Sequence, residues 1–260
     1  MSDDLVAFYE AGYSTADPTE AARYGAWRAH GASLKARHAV ELCAQTGLRP
    51  DTLVEIGCGD GALLEELGAR GLARTLDGFE LSASAAELAR KRAIPGARRI
   101  EAYAGARVPA ADGAYDLAVL SHVVEHVPDP GALLAEAARV ARWVLVEVPL
   151  EANRSAARPA KRAQAREIGH IQAFDRRAMH ALMHSVGLDL RAELTDPLPR
   201  SHHAFFAEGP TDTLRAAAKW GVRAAVWRAA PRRAERLFTV HWAGLAEQLG
   251  RQPHGTGQEI

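Results

Sequence analysis

Residues 53–61 read Leu-Val-Glu-Ile-Gly-Cys-Gly-Asp-Gly, an apolar run that ends in three alternating glycines, Gly57, Gly59 and Gly61. A backbone without Cβ atoms can turn sharply and approach a bound ligand closely. The nucleotide-binding pattern G-x-G-x-x-G would place its third glycine at position 62, where this chain has Ala62. The spacing therefore predicts a ligand-binding loop after a first strand, but not a loop for a pyrophosphate.

Short apolar runs alternate with helical patterns from residue 51 to about residue 150, which is typical of βαβ units around a parallel sheet. The predicted strands are Thr52–Ile56, Leu76–Phe79, Arg99–Tyr103, Asp116–Leu120 and Val144–Val148. Predicted helices between them cover Ala62–Ala69, a segment opened by a capping box at Ser84–Glu87, and a segment that begins at Asp129. This order predicts an α/β fold with a doubly wound, mostly parallel sheet.

The regions outside this core, residues 51–150, differ from it in composition. The sequence of residues 1–50 predicts an N-terminal helical cap, with one helix over Ala32–Thr46. Residues 151–172 are polar and basic, and this composition predicts a lid or insertion. Residues 173–210 predict a helix at Asp175–Val186 and the C-terminal part of the sheet, with strands at Leu188–Leu194 and His203–Ala207. Residues 211–260 predict a helical tail, with helices at Thr213–Ala229 and Arg232–Leu249.

The overall charge and cysteine content exclude several classes of protein. Lys and Arg total 32, as do Asp and Glu, so no global field attracts nucleic acid or an anionic membrane, and neither partner is expected. Cys43 and Cys58 are the only cysteines, too few for a disulfide framework or a four-cysteine zinc site. The N-terminus lacks a secretory signal pattern, and a cytoplasmic location is expected.

An acidic residue follows the second predicted strand. Glu80 lies nineteen residues after Gly61, about where such folds place a carboxylate that accepts hydrogen bonds from both ribose hydroxyls of an adenosine. A glycine loop alone also occurs in ordinary turns, and an acid at a strand end also occurs as a helix cap. Together, in this strand and helix context, the two features predict an adenosine-containing ligand.

These motifs resemble the class I family of methyltransferases that depend on S-adenosylmethionine (SAM), and in particular its ubiquinone-biosynthesis-like small-molecule group. EIGCGDG resembles motif I of that family, GFELS its ribose-binding motif, DGAYDLAVLSHVVEHVPDP its fourth-strand segment and RWVLVEVP its fifth strand. The resemblance covers roughly residues 50 to 210. It implies a Rossmann-like sheet of seven strands, SAM as cofactor, and transfer of a methyl group to oxygen, nitrogen or carbon of a metabolite.

The resemblance also implies a set of cofactor-binding residues. Gly57, Gly59 and Gly61 would surround the methionine part of SAM, with Glu55 near its amino group, Glu80 on the ribose and Leu81 beside the adenine. The expected set is completed by Cys58, Gly105, Ser121 and His122. The chain departs from the family after the third strand, where Tyr103-Ala104-Gly105-Ala106 has no carboxylate for the adenine, which leaves backbone groups or Asp112 to recognise it.

Three histidines are candidates for the general base. His122 and His126 follow the fourth strand, at the sheet edge where open α/β folds bind ligands, and His170 belongs to a G-H-x-x-x-F element that resembles a substrate-contacting element of the family. A structural role is an alternative for each. The same segment matches H-x-x-E-H, but a protease of that type needs a helix there, whereas Pro128 indicates a turn.

The resemblance raises the further alternative of a divalent ion, because related enzymes carry acids and a histidine after the fourth strand. His122 replaces one of those acids, and no metal ligand is assigned from the sequence. The aromatic residues Tyr9, Tyr13, Tyr24 and Trp27 are either packing residues or part of a lid, and Arg28 could bind the methionine carboxylate.

The basic residues of the predicted lid suggest an anionic small-molecule acceptor or, alternatively, a solvated loop. They are Arg154, Arg158, Lys161, Arg162 and Arg166. Two other functions compete with small-molecule methylation, a methyltransferase for macromolecules and a non-catalytic SAM-binding scaffold or sensor. A base-modifying enzyme is disfavoured because Ser121-His122-Val123-Val124 stands where that class carries a clamp for a planar amine.

Overall fold

A seven-stranded sheet forms the centre of the structure, a computed structural model that describes residues 3–13, 17–105 and 107–249. The strands are β1 (Thr52–Ile56), β2 (Thr75–Glu80), β3 (Ala97–Ala102), β4 (Tyr115–Ser121), β5 (Ala141–Pro149), β6 (Leu188–Asp196) and β7 (His241–Gln248). Their spatial order is β3-β2-β1-β4-β5-β7-β6, with β7 antiparallel to both of its neighbours and the other pairs parallel. The predicted α/β class and all five core strands are confirmed.

Ten helices flank these strands in the described part of the chain. They are α1 (Asp3–Tyr13), α2 (Pro18–Thr46), α3 (Ala62–Ala69), α4 (Ala83–Lys91), α5 (Pro130–Val140), α6 (Pro159–Glu167), α7 (Arg176–Ser185), α8 (Arg200–Ala204), α9 (Gly209–Ala229) and α10 (Pro231–Leu237). Asp17, Asp129 and Asp175 cap α2, α5 and α7 by accepting backbone N–H groups. The capping box predicted at Ser84 is wrong, because Ser82 caps α4 instead, accepting from the N–H of Ala85 at 3.0 Å.

Hydrophobic side chains cover both faces of the sheet because neighbouring residues of a strand point to opposite faces. On one face, Val54 and Ile56 belong to a core with α5 and α7, and on the other Leu53 packs with residues of α2 and α3. Burial on both faces explains the nearly continuous apolar runs of the parallel strands. The carboxyl ends of β1 and β4, on either side of the point where strand order reverses, are where such sheets bind ligands.

Two predictions for the C-terminal half are wrong. The strand predicted at His203–Ala207 overlaps helix α8, and the helix predicted at Arg232–Leu249 ends at Leu237, with β7 in place of its second half. The β7 sequence contains Ala, Leu, Glu and Gln, which favour helices locally, but five of its residues are buried between β5 and β6, and this pairing overrides local propensity. Gly244 is needed there because a Cβ would lie 2.3 Å from the Trp242 ring.

The predicted basic lid contains α6 and connects β5 to α7. Its backbone is attached to α10, since the N–H groups of Arg154 and Ser155 donate to the carbonyls of Arg236 and Leu237 at 3.0 and 3.1 Å. Residues 250–260 of the predicted tail lie outside the described residues. Within the described residues, no helix has both the length and the apolar character needed to cross a membrane.

Candidate active site

The glycine loop forms a tight turn between β1 and α3. The N–H groups of Gly57 and Cys58 donate to the carbonyl of Phe79 on β2, and Gly57, Gly59 and Gly61 have φ values of 81°, 53° and 77°. These left-handed conformations suit glycine, and a Cβ on Gly57 would lie 2.6 Å from a methyl group of Val123. The loop is therefore shaped as the glycine spacing predicts, with Cys58 buried beneath it.

Glu80 ends β2 and holds the glycine loop through backbone hydrogen bonds. Its carboxylate accepts from the N–H groups of Gly59, Leu81 and Ser82 at 2.7, 2.8 and 3.0 Å. Burial raises the pKa of this carboxyl although the three donors favour its ionised form. Glu80 and Leu81 line a small cavity of about 90 Å³ together with Tyr103, and their contacts with the ribose and adenine stay predictions.

A larger cavity of about 520 Å³ begins at the glycine loop and continues along the carboxyl ends of β1 and β4. Glu55 lies in its wall, and burial raises the pKa of this carboxyl to about 8. Arg28 of α2 also lines it and pairs with Asp60 at 2.8 Å, so its guanidinium lies beside the glycine loop. The wall also includes Ser121, whose buried hydroxyl has no hydrogen-bond partner in the part of the chain that the structure describes.

Helix α1 covers the small cavity beside Glu80. Tyr9 and Tyr13 line both cavities, and the Tyr13 hydroxyl lies 2.6 Å from the position that a Cβ on Gly59 would take. Glu10, between them, accepts hydrogen bonds from Ser82 and Ser84 at the start of α4. Tyr24 instead packs on Phe206, and the Tyr24 residue is 46% exposed. Of the four N-terminal aromatic residues, Tyr9, Tyr13 and Trp27 therefore line the cavities, and their role as a lid stays a prediction.

His122, the first candidate base, lies directly after β4 with a φ of 57°, which is unusual for a residue other than glycine. Its N–H donates to the carbonyl of Glu147 on β5 at 2.9 Å. Its ring Nδ1 lies 3.1 Å from Glu125, and its Nε2 lies 3.8 Å from Glu147. Burial opposes protonation of His122, but these two carboxylates outweigh it and raise its pKa.

His126 and His170 lie side by side, with ring centroids 4.7 Å apart, and both line the 520 Å³ cavity. Burial lowers the pKa of His126 to about 4, so its imidazole is neutral at neutral pH. The Nδ1 of His170 lies 2.8 Å from Glu151. Because the N–H groups of Ile171 and Gln172 donate to the carbonyl of Glu125, the end of the predicted lid is fixed to the loop after β4.

A second histidine group surrounds Glu147, and the sequence analysis did not identify it. His38 of α2 and His241 of β7 each place Nδ1 3.4 Å from Glu147 Oε1, and Asp196 lies 3.0 Å from the other ring nitrogen of His38. Burial disfavours the carboxylate form of Glu147, but the adjacent histidines outweigh it and hold its pKa well below its usual range. One signal was available, since an acid within the apolar run RWVLVEVP needs a partner.

Two predicted contacts lie elsewhere. Gly105 lies in the loop after β3 with a φ of 77° and is not among the described residues that line the two cavities. Asp112 pairs with Arg139 at 2.7 Å and is 64% exposed, so the suggestion that Asp112 recognises adenine is wrong. Tyr103 packs against Phe79 in the small cavity and takes the place where a carboxylate was sought.

The basic segment borders a third cavity of about 860 Å³. Its wall includes four arginines, Arg154, Arg162, Arg166 and Arg236. Glu151 and His170 line both this cavity and the 520 Å³ cavity, so the two spaces adjoin. An acceptor in the larger space could place a reacting group near the histidines while the arginines contact an anionic part of it.

The fold and the site together define a methyltransferase of the Rossmann-like class. Strand order 3-2-1-4-5-7-6 is typical of that class. A family model described as "Methyltransferase domain" matches residues 28–193, and the chain belongs to this family. Its cofactor is SAM.

Comparison with individual proteins agrees with this assignment. The ubiquinone biosynthesis O-methyltransferase of Nitrosomonas europaea is 31% identical over 105 residues, which are 38% of this chain and 43% of that protein. The same enzyme of Aromatoleum aromaticum is 33% identical over 99 residues, 37% and 42% of the two chains. The matched region spans less than half the length of these relatives.

Solved structures agree in fold. Geranyl diphosphate methyltransferase in complex with SAM has a TM-score of 0.61 at 18% identity, covering 84% of this chain and 85% of that chain. The [4+2]-cyclase SpnF has a TM-score of 0.58 at 17% identity, covering 82% and 81%. At these identities the likeness concerns the fold alone, so the acceptor chemistry must be argued from the side chains of the site.

Proposed function

We propose that the protein transfers the sulfonium methyl group of SAM to an oxygen, nitrogen or carbon atom of a small-molecule metabolite. The observation that carries this proposal is the 520 Å³ cavity, which has the glycine loop at one end and His122, His126 and His170 in its wall. Methyl transfer requires an acceptor lone pair held in line with the methyl carbon. A cavity that joins the donor loop to candidate bases meets that requirement.

In this proposal the donor lies across the carboxyl ends of β1 and β2. Glu80 accepts the ribose hydroxyls, Glu55 pairs with the ammonium group, and Arg28 binds the carboxylate. The glycines allow the backbone to contact the methionine part, and Leu81 packs on the adenine. This arrangement uses the buried acids at the ends of both strands and directs the sulfonium towards the histidines.

The general base is His126 or His170, and His122 is the less suitable of the three. A base is needed when the acceptor begins as a hydroxyl, an ammonium or a C–H group. His126 can accept a proton because burial keeps its imidazole neutral. Glu151 orients His170 through a 2.8 Å contact, whereas the adjacent carboxylates favour the protonated form of His122.

The acceptor is proposed to be a metabolite that carries negative charge. The names of the curated relatives and of the geranyl diphosphate enzyme favour a small-molecule acceptor, and the four arginines of the 860 Å³ cavity favour an anionic one. The zero net charge of the chain gives no support to nucleic acid as substrate.

The test is transfer of a labelled methyl group from SAM to a bacterial metabolite extract, followed by separation of small molecules from precipitated macromolecules. We expect label in the small-molecule fraction, and His126→Ala or His170→Ala to lower turnover by about 100-fold, within the usual range for loss of a general base. Affinity for S-adenosylhomocysteine (SAH) should change less than threefold in the same variants.

Other outcomes would favour the competing functions. Label in protein or nucleic acid would favour a macromolecule methyltransferase. Tight binding of SAH with no transfer to any fraction would favour a non-catalytic scaffold. Loss of SAH binding in the histidine variants would show that these residues maintain the donor site and do not act as bases.

A further inference from the structure

Three side chains from three neighbouring strands converge in the part of the 520 Å³ cavity wall where β4, β5 and β7 meet. His122 follows β4, Glu147 lies near the end of β5, and His241 begins β7. One nitrogen of each histidine and one oxygen of Glu147 all lie within 4.8 Å of one another. The antiparallel register brings His241 opposite Pro149, two residues beyond Glu147.

Hydrogen bonding inside the protein does not satisfy this group. Both oxygens of Glu147 and the Nε2 of His122 are buried without a hydrogen-bond partner among the described residues, and the Glu147 side chain is only 1% exposed. The distances to Glu147 Oε1 are 3.8 Å from His122 Nε2 and 3.4 Å from His241 Nδ1, beyond the usual hydrogen-bond range. The three adjacent imidazoles compensate the charge of this carboxylate but leave its oxygens without a close hydrogen bond, and a bound cation would complete the arrangement.

We infer that His122, Glu147 and His241 bind one divalent transition-metal ion. Nitrogen and oxygen ligands that bind one ion at about 2.0–2.2 Å lie roughly 3.0–3.6 Å apart from one another. The 3.4 Å contact has that separation, and the 3.8 Å contact needs only a small movement of the His122 ring. The spacing is thus that of ligands around an ion rather than that of direct partners.

Residues behind the three ligands are arranged as supports for a metal site. A histidine ligand usually presents its second ring nitrogen to a carboxylate, and the Nδ1 of His122 lies 3.1 Å from Glu125. His38 lies 3.4 Å from the Glu147 oxygen and is itself positioned by Asp196 at 3.0 Å. The Glu125 contact orients the His122 ring, and Asp196 holds His38 beside the Glu147 carboxylate.

The ligand set favours a particular class of ion. Two imidazoles and one carboxylate suit Zn²⁺, Fe²⁺, Co²⁺ or Ni²⁺, whereas Mg²⁺ prefers oxygen ligands and water. The His122 and His241 side chains are 20% and 13% exposed, so further ligands can reach the ion from the cavity. If the proposed function holds, the ion would act as a Lewis acid that coordinates a hydroxyl oxygen of the acceptor and lowers the pKa of that hydroxyl.

The sequence resemblance had pointed to acids and a histidine in the loop after β4 alone, and the site inferred here uses a different set. Glu125, His126 and His170 form a second group of possible ligands. That group also has buried atoms without a hydrogen-bond partner among the described residues, namely Glu125 Oε1 and Oε2 and His126 Nδ1, but two of its members lie in the short helix after β4 and one at the end of the lid. The Glu147 group is the better site because strands β5 and β7 hold two of its three ligands, and strands position ligands more precisely than loops do.

Direct metal binding tests the inference without any need for methyl transfer. Metal-stripped protein is titrated with Co²⁺ by absorption spectroscopy and with Zn²⁺ by calorimetry, in the absence of SAM. We expect one ion per chain and visible Co²⁺ bands typical of mixed nitrogen and oxygen ligation. His241→Ala and the isosteric Glu147→Gln should each weaken binding at least about 100-fold, because loss of a ligand exceeds the effect of losing its support.

Two control variants locate the ion. His184→Ala removes an exposed histidine of α7, and His126→Ala removes a member of the second group; both should leave Kd within threefold of the unmodified chain. Circular dichroism and SAH binding verify that each variant is folded, with His241→Asn as a milder replacement if His241→Ala is not. A Kd above 1 mM for the unmodified chain, unchanged affinity in the His241 and Glu147 variants, or loss of binding only in His126→Ala would each overturn the inference.

Discussion

Replacement of Glu80 by alanine should weaken binding of SAH by about 100-fold. The carboxylate lies at the end of β2, where the ribose hydroxyls would donate two hydrogen bonds to it. Hydrogen bonds to a charged group contribute about 1.5–3 kcal/mol each. Loss of two at the lower value removes about 3 kcal/mol, and every 1.4 kcal/mol is a factor of ten in Kd. Glu80→Gln keeps the size and one acceptor, so about a tenfold loss is expected.

Calorimetric titration with SAH measures this effect, and thermal unfolding of the free protein measures a second one. Glu80 also accepts three backbone N–H groups, including that of Gly59 at 2.7 Å, so Glu80→Ala should lower the melting temperature as well. Glu87→Ala, on the exposed side of α4, is the matched control and should bind SAH within twofold of the unmodified chain. A folded Glu80→Ala variant that binds SAH within threefold would refute the assignment of the ribose acid.

Three further predictions concern pH, packing and the N-terminal helix. Burial raises the pKa of Glu55 to about 8, and only the ionised carboxylate pairs with the ammonium group of SAH. SAH affinity should therefore rise between pH 5.5 and pH 7.5, by up to about tenfold per pH unit. A flat pH profile, or a profile that Glu55→Gln leaves unchanged, would contradict this role. Gly61→Ala should lower the free energy of unfolding by about 1–3 kcal/mol, because residue 61 has a positive φ and the new Cβ would lie 2.9 Å from the Cβ of Ala89. Gly221→Ala, in open space on α9, is the control and should be neutral or stabilising in the same denaturant titration. The Tyr13 side chain covers the glycine loop, so Tyr13→Ala should raise the SAH association rate at least about threefold in stopped-flow measurements. An unchanged association rate would show that α1 does not limit entry of the ligand.

The parts of the site that lie close together in sequence could be predicted from it. The glycine loop and Glu80 depend on a strand, a turn and a helix within thirty residues, and local spacing determines such units. The same holds for His122 and His126, which follow β4 directly. For these residues the motif and the structure agree because short-range geometry places them.

The parts that depend on long-range pairing could not be predicted. His241 approaches Glu147 only because β7 inserts between β5 and β6, and the local sequence of β7 favours a helix. His38 reaches the same carboxylate from α2, more than a hundred residues away in the chain. The tertiary arrangement, and no local pattern, therefore creates the histidine group around Glu147.

The cytoplasmic location and the boundaries of the lid stay predictions.

A crystal structure of the protein with SAH tests the central claim most directly. The account predicts that SAH lies along the glycine loop, that its ribose hydroxyls lie within hydrogen-bond distance of Glu80, and that its sulfur faces the 520 Å³ cavity beside the histidines. Displacement of Tyr13 from Gly59 should accompany binding. Crystals grown at saturating SAH with Tyr13 still against the loop and no ligand there, or with the sulfur directed away from the cavity, would contradict it.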